Sequence, residues 1–185
     1  MITLHFAMRD TRVKIVSAAN QLFAERGFAE PGVEAVRAAA DVSIRTLYKH
    51  FPSRNDMIVG ALAFRHERYL EHLRQDAPVE TGQAAILHLF SRLEEWMKET
   101  GTHGCLFVQA LASHPQSMAI RQEVERNKLA VRAEISRRLG PDQAHLAMPL
   151  FLIHEGTTAA SPSFGASEAG AEAVNVIKQL FRKAP

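Results

Sequence analysis

Val33-Glu34-Ala35-Val36-Arg37-Ala38-Ala39-Ala40-Asp41-Val42-Ser43-Ile44-Arg45-Thr46-Leu47-Tyr48-Lys49-His50-Phe51 reads as two short helices joined by a tight turn, the layout with which a helix-turn-helix reads DNA. Val33, Val36 and Ala40 fall at helical spacing on one side of the first helix, and Leu47 and Phe51 stand four apart on the second. Each helix therefore has an apolar face to press against the other. Asp41-Val42 supplies the bend, and Ser43 is placed to cap the second helix. From Ser43 to Arg54 the chain carries Arg45, Lys49 and Arg54 with no acidic residue, beside Thr46, Tyr48 and His50 as hydrogen-bonding groups. Spacing alone also fits an ordinary helical hairpin; the basic, acid-free segment favours a phosphate backbone as partner.

Upstream, Val13, Val16, Ala19, Leu22 and Phe23 recur at mostly three-residue steps, predicting a helix from Asp10 to Arg26 that ends at Gly27. Downstream, Pro52 breaks the chain, and Ser53 with Asp56 makes a capping-box-like start to a helix from about Arg54 to Gln75. Beyond Pro78, Ala85, Leu89, Leu93, Trp96 and Met97 form one helical stripe, broken at Gly101-Thr102-His103-Gly104. A long helix is expected from about Ser117 to Leu139, and two more over 142–160 and 167–182, separated by a loop over 160–166. No strand-like alternation occurs, so the fold class is all-α: a three-helix DNA-binding head over 1–53, then a larger helical domain over 54–185.

The chain of 185 residues has a net charge of only +2, so nucleic-acid affinity must come from a local cluster rather than a global field. A single cysteine, Cys105, excludes an intramolecular disulfide framework and fits a reducing cytoplasm. Residues 1–8 lack the basic region and long apolar run of a secretion signal and are expected to be disordered, with Met8 an alternative start. No apolar run approaches bilayer length, so no membrane partner is expected.

Ile15 through Phe28, then Val42-Ser43 to Thr46-Leu47-Tyr48, then His50-Phe51-Pro52-Ser53-Arg54, resemble in this order the head of the TetR family of bacterial transcriptional regulators. The resemblance implies that Ile44, Arg45, Thr46, Tyr48 and Lys49 face the major groove, with Tyr48, His50 and Arg54 among the phosphate contacts and Ser43 at the helix start. It also implies that 54–185 form a helical ligand-binding and dimerisation domain, and that the chain is a homodimeric repressor on a palindromic double-stranded operator, released when a small apolar or amphipathic effector tilts the helix from Arg54 to Gln75. Four positions depart from the family's habit: Arg37 stands for Ala, Asp41 for Gly, and Pro31-Gly32 where hydroxyl residues often open the second helix. Arg37 and Asp41, four apart, are expected to pair with each other.

In the body, Trp96, Met97, Phe107, Met148 and Phe151, with His88, Gln109 or His154 as orienting polar groups, are the candidate effector residues; plain core packing is the competing reading for each. Ala144, Met148, Phe151, Leu152 and Glu155 with Ala173, Val174, Ile177, Leu180 and Phe181 are expected to form an intermolecular four-helix bundle, its first helix kinked at Pro149. His103, Cys105 and His114 lack paired zinc-ligand spacing, and no Lys or Arg adjoins Cys105 in sequence. Neither a nucleophile-base constellation nor a phosphate loop is present, so no cofactor is expected; an all-α enzyme or a metal- or redox-responsive helical protein is the alternative.

Overall fold

The computed structural model describes residues 2–100 and 103–183, with side chains from residue 10 to residue 182 within those ranges. Among the described residues there are helices and no strand: α1 (Ile2–Arg26), α2 (Val33–Ala39), α3 (Ile44–His50), α4 (Arg54–Arg74), α5 (Gln83–Thr100), α6 (Leu106–Ser113), α7 (Met118–Leu139), α8 (Ala147–Phe164) and α9 (Ala166–Lys183). A short 3-10 segment, Pro141–Leu146, precedes α8.

The local signals act as expected at most boundaries. Ser53 and Asp56 form a reciprocal capping box: the Asp56 carboxylate accepts from the Ser53 amide at 3.0 Å, and the Asp56 amide donates to Ser53 Oγ at 3.1 Å. Ser117 Oγ accepts from the Ile120 amide at 3.3 Å and so opens α7. Four expectations are corrected. Residues 2–8 continue α1 rather than being disordered, since no Gly or Pro interrupts the chain before Gly27; Met1 lies outside the described residues, as do Gly101 and Thr102 of the expected break. Val13 is 49% exposed, and the buried face of α1 is Ile15, Val16, Ala19, Leu22 and Phe23. The loop over 160–166 shrinks to Gly165, because α8 runs through Pro162, which removes a single donor, and stops only where Gly165 adopts φ +87° and its amide reaches the Ser161 carbonyl at 2.9 Å. Pro149 lies in the first turn of α8, where an amide has no intrahelical partner, so a kink there has no cause.

The chain divides into two compact units, and the division is not the one expected after residue 53. The first unit runs through Glu67 and takes in Leu106–Glu125; the second comprises Arg68–Cys105 and the chain from Arg126 on. The boundary therefore falls inside α4 and again inside α7. Packing groups α6 and the start of α7 with the head: Leu106, Phe107, Ala110, Ile120 and Val124 are buried there alongside Phe23, Phe28, Val36, Leu47 and Phe51.

The core of the second unit is an apolar cluster that includes Leu73, Ile86, Leu89, Phe90, Val131, Ile135, Leu150 and Ile177. Within the same unit Arg138 and Glu134 are both 2% exposed. Glu134 Oε1 accepts from Arg138 Nε at 2.9 Å and from Arg137 Nη2 at 2.5 Å, and Oε2 accepts from Arg74 Nε at 3.1 Å. Arg138 also donates to the Leu73 and Ala85 carbonyls and lies against His88 Nδ1, tying α4, α5 and α7 together. Three guanidinium groups outweigh the burial that opposes the charge and bring the Glu134 carboxyl down to about 2.

Candidate nucleic-acid interface

A seven-residue helix such as α3 is too short to persist by propensity alone, so packing and capping must hold it. Ser43 Oγ accepts the Thr46 amide at 3.0 Å and lies 2.8 Å from Thr46 Oγ1, satisfying one of the free amides of the first turn. Leu47 and Phe51, each 1% exposed, anchor the opposite face. What remains outward is the set anticipated as a reading surface: Ile44 is 40% exposed and Tyr48 47%, Arg45 and Lys49 are exposed, and Thr46 and His50 are half-buried. Burial, then Arg12 and then Lys49 lower the His50 pKa, so the imidazole is neutral near pH 7 and offers hydrogen bonds rather than charge.

The helix ahead of it departs from expectation. Arg37 does not pair with Asp41; its Nε donates to Glu34 Oε2 at 2.7 Å, one turn back on α2, and its Nη1 reaches the Val42 carbonyl at 3.4 Å. The guanidinium thereby holds the turn from α2 into α3 by a backbone contact. Asp41 instead solves a backbone problem, since its φ is +50°, in the left-handed region that glycine occupies without strain. Asp41→Ala is expected to lower stability by about 1 kcal/mol and Asp41→Gly to cost nothing. Urea denaturation of the two variants checks this; equal losses would contradict the backbone account. At the start of α2, Gly32 makes no side-chain cap, as its lack of a hydroxyl dictates.

Arg54, anticipated as a phosphate contact, is turned inward instead. Its Nη2 donates to the Phe28 carbonyl and, at 3.4 Å, to the Pro31 carbonyl, its Nη1 lies 3.2 Å from His114 Nε2, and its head stands 5.9 Å from the Phe23 ring. The first residue of α4 thus fixes the turn between α1 and α2 and the end of α6. Arg12, which periodicity did not single out, donates from Nη1 to the His50 carbonyl at 3.2 Å and lies 4.4 Å above the Phe51 ring.

The proposed effector residues divide. In the second unit Trp96, Phe151 and His154 gather around Tyr69: Tyr69 and Trp96 rings are 5.1 Å apart, and His154 stacks on Phe151 at 6.5 Å. The buried His154 imidazole has its pKa lowered by desolvation against the pull of Glu155, so it is neutral. Its Nδ1 donates to the Glu155 carboxylate at 3.1 Å, leaving Nε2 to accept the Tyr69 hydroxyl at 2.5 Å. Glu155 in turn pairs with Lys128 at 2.6 Å, and Lys128 Nζ stands 3.4 Å from Cys105 Sγ. The cysteine with no basic neighbour in sequence has one in space. Burial disfavours the Lys128 ammonium, but Cys105 and Glu155 together hold its pKa above the ordinary lysine value. Elsewhere, Met97 is plain core, His88 is tied to Arg138, Met148 is 44% exposed, and Phe107 and Gln109 belong to the first unit. Among the described residues no group of three or more His, Cys, Asp or Glu could hold a metal ion. Among them, no helix is long and apolar enough to cross a membrane.

The sequence model described as "Bacterial regulatory proteins, tetR family" matches residues 15–61, the span from the buried face of α1 into α4. UidR, an HTH-type transcriptional regulator of Escherichia coli, is 23% identical over 129 residues, 70% of this chain, and the match spans 64% of UidR's own length. KstR, an HTH-type transcriptional repressor of Rhodococcus jostii, is 37% identical over 62 residues, 34% of this chain and 29% of KstR. The crystal structure of a TetR-family transcriptional regulator from Streptomyces coelicolor superposes with a TM-score of 0.81 at 19% identity, covering 94% of this chain and 95% of that one.

Proposed function

We infer the function from one premise, that the chain belongs to the TetR family of bacterial regulatory proteins: it is a transcriptional regulator that represses by binding a palindromic operator as a homodimer, not an enzyme. The observation that carries the reading is α3, whose buried Leu47 and Phe51 leave Ile44, Arg45, Thr46, Tyr48 and Lys49 outward in a stretch without a carboxylate. Arg45 supplies the base-reading fork, for a guanidinium pairs with both guanine acceptors. Tyr48 and His50 hold phosphates and set register, with Ser43 at the N-terminal end of the helix.

A single head grips one half-site, so two heads about one duplex turn apart give the affinity a repressor needs. The dimer face is the outward side of α8 and α9, where Met148, Leu152, Phe164 and Val176 are exposed apolar residues; Ala173 and Ile177, expected in that interface, are used in the chain's own core. The effector is a small apolar or amphipathic molecule held near Trp96, Phe151 and His154 in the second unit, and it releases DNA only by its difference in affinity between two head spacings. The regulator acts where its operator is, in the cytoplasm.

The test is selection of duplexes from a randomised pool at two salt concentrations. The wild-type chain is expected to enrich a palindrome. Arg45→Ala is expected to lose about 1–3 kcal/mol on it and to relax the preference at one base pair in each half. Binding that ignores sequence and vanishes with modest salt would sink the reading.

A further inference from the structure

We propose that Arg12 is a positioning residue for sequence reading, a clamp from α1 that fixes the C-terminal end of the recognition helix while making no contact with DNA itself. The inference rests on the DNA-binding reading of α3.

The geometry gives Arg12 three tasks at one place. The last carbonyls of a helix have no intrahelical donor, and that of His50, the final residue of α3, receives Arg12 Nη1 at 3.2 Å. A cation at a helix C-terminus is favoured by the macrodipole, and α3 ends in the ring of Phe51, over which the same guanidinium lies at 4.4 Å. One side chain thus satisfies the final carbonyl, the dipole and the aromatic face.

Its own element is rigidly held. Ile15, Val16 and Ala19 of α1 are buried, and Val16 Cγ1 faces the same small space beside Gly60 that the Phe51 ring fills. Arg12, one turn before Val16, extends this anchorage outward to the His50 carbonyl at the end of α3. Among the described residues no carboxylate pairs with Arg12, so its head is not drawn off elsewhere. The lowered pKa of His50, to which Arg12 contributes after burial, is consistent with a guanidinium held at this position.

Positioning and phosphate contact predict different salt behaviour. A side chain that neutralises a phosphate contributes about 0.9 to the slope of log affinity against log salt, whereas one that orients a helix contributes nothing to it. The experiment uses the full chain, the duplex it enriches from a randomised pool, and a scrambled duplex of equal length. Arg12→Met, which keeps the stem, is expected to weaken the enriched duplex about tenfold with the salt slope unchanged and the scrambled duplex bound as before. Arg12→Lys, which keeps the charge but lacks the planar fork, is expected to lose about threefold. In Arg12→Met the His50 imidazole, followed by NMR, is expected to titrate at higher pH than in the wild type.

Unchanged affinity in Arg12→Met overturns the proposal, as does an unshifted His50. A loss shared equally by both duplexes, with the slope smaller by about one, also overturns it and makes Arg12 a phosphate contact. If the wild-type chain enriches no duplex, the DNA-binding reading itself fails. Should Arg12→Met fail to fold, Arg12→Gln, which also removes the charge while keeping a polar side chain, carries the same comparison.

Discussion

Arg138→Met is expected to lower the unfolding free energy by about 3–5 kcal/mol, because it removes the charged partner at the centre of a buried network without removing the network's demands. Glu134, 2% exposed, would keep Arg74 and Arg137, but the Leu73 and Ala85 carbonyls would lose their guanidinium donor. The Ala85 carbonyl keeps its helical amide, but that of Leu73, in the last turn of α4, has no intrahelical donor, and an unpaired buried carbonyl costs about 1–3 kcal/mol. Glu134→Gln tests the other partner through pH. Its carboxyl titrates at about 2 in the folded chain against an ordinary 4.5, so its contribution is fully present above the unfolded value and is lost as pH falls from about 4.5 towards 2. A shift of this size corresponds to something on the order of 3 kcal/mol. The wild type is therefore expected to lose stability steeply across that interval in urea titrations, and Glu134→Gln to show a flatter profile from a lower plateau. The two substitutions combined are expected to cost less than their sum, since they remove opposite ends of one interaction. Strict additivity would show that Arg138 and Glu134 are not coupled.

The features legible in the sequence are those written at short range. The α2 and α3 boundaries, the Ser43 cap and the Ser53–Asp56 box depend on residues no more than four apart, and periodicity or capping chemistry exposes them directly. Arg54 was not legible in that way. It precedes a helix in a basic segment and looks like a phosphate ligand, yet its partners lie 26 residues back at Phe28 and 60 forward at His114. Lys128 and Cys105, separated by 23 positions, escape for the same reason.

Arg37 and Asp41 fail differently. Spacing of four residues permits an ion pair only if both stand on the helix, and α2 ends at Ala39. Asp41 has already turned into positive φ, which removes it from the helical face and leaves Glu34, three residues back, as the reachable carboxylate. A signal for this was present, because Asp and Asn are the side chains that best tolerate the left-handed conformation glycine otherwise fills. The compact units have a similar origin: local composition marks Pro52-Ser53, whereas the units follow contacts that bring residues 106–125 back to the head.

Gly60→Ala is expected to destabilise the head by about 1–3 kcal/mol, although alanine in the middle of a helix ordinarily gains about 1 kcal/mol over glycine. A methyl at Gly60 would lie 2.6 Å from Phe51 Cε1, closer than carbon atoms approach, and 3.2 Å from Val16 Cγ1, tighter than ordinary van der Waals contact. Phe51 cannot yield easily, because it is 1% exposed, ends α3 and carries the Arg12 guanidinium on its ring face. Phe51→Ala is accordingly the larger loss, about 3–5 kcal/mol, as expected for emptying a buried aromatic site. The two effects have opposite steric causes, one overfilling and one emptying the same space, so they should compensate when combined in the right sizes. Gly60→Ala with Phe51→Leu, which takes away the ring edge that the new methyl meets, is expected to be more stable than the sum of the single losses predicts, by about 1 kcal/mol. Chemical denaturation of the four proteins measures the coupling. Because Phe51 caps α3, Gly60→Ala should also weaken the enriched duplex at temperatures where the protein is fully folded, and a Gly60→Ala protein more stable than the wild type would refute the close approach on which both effects depend.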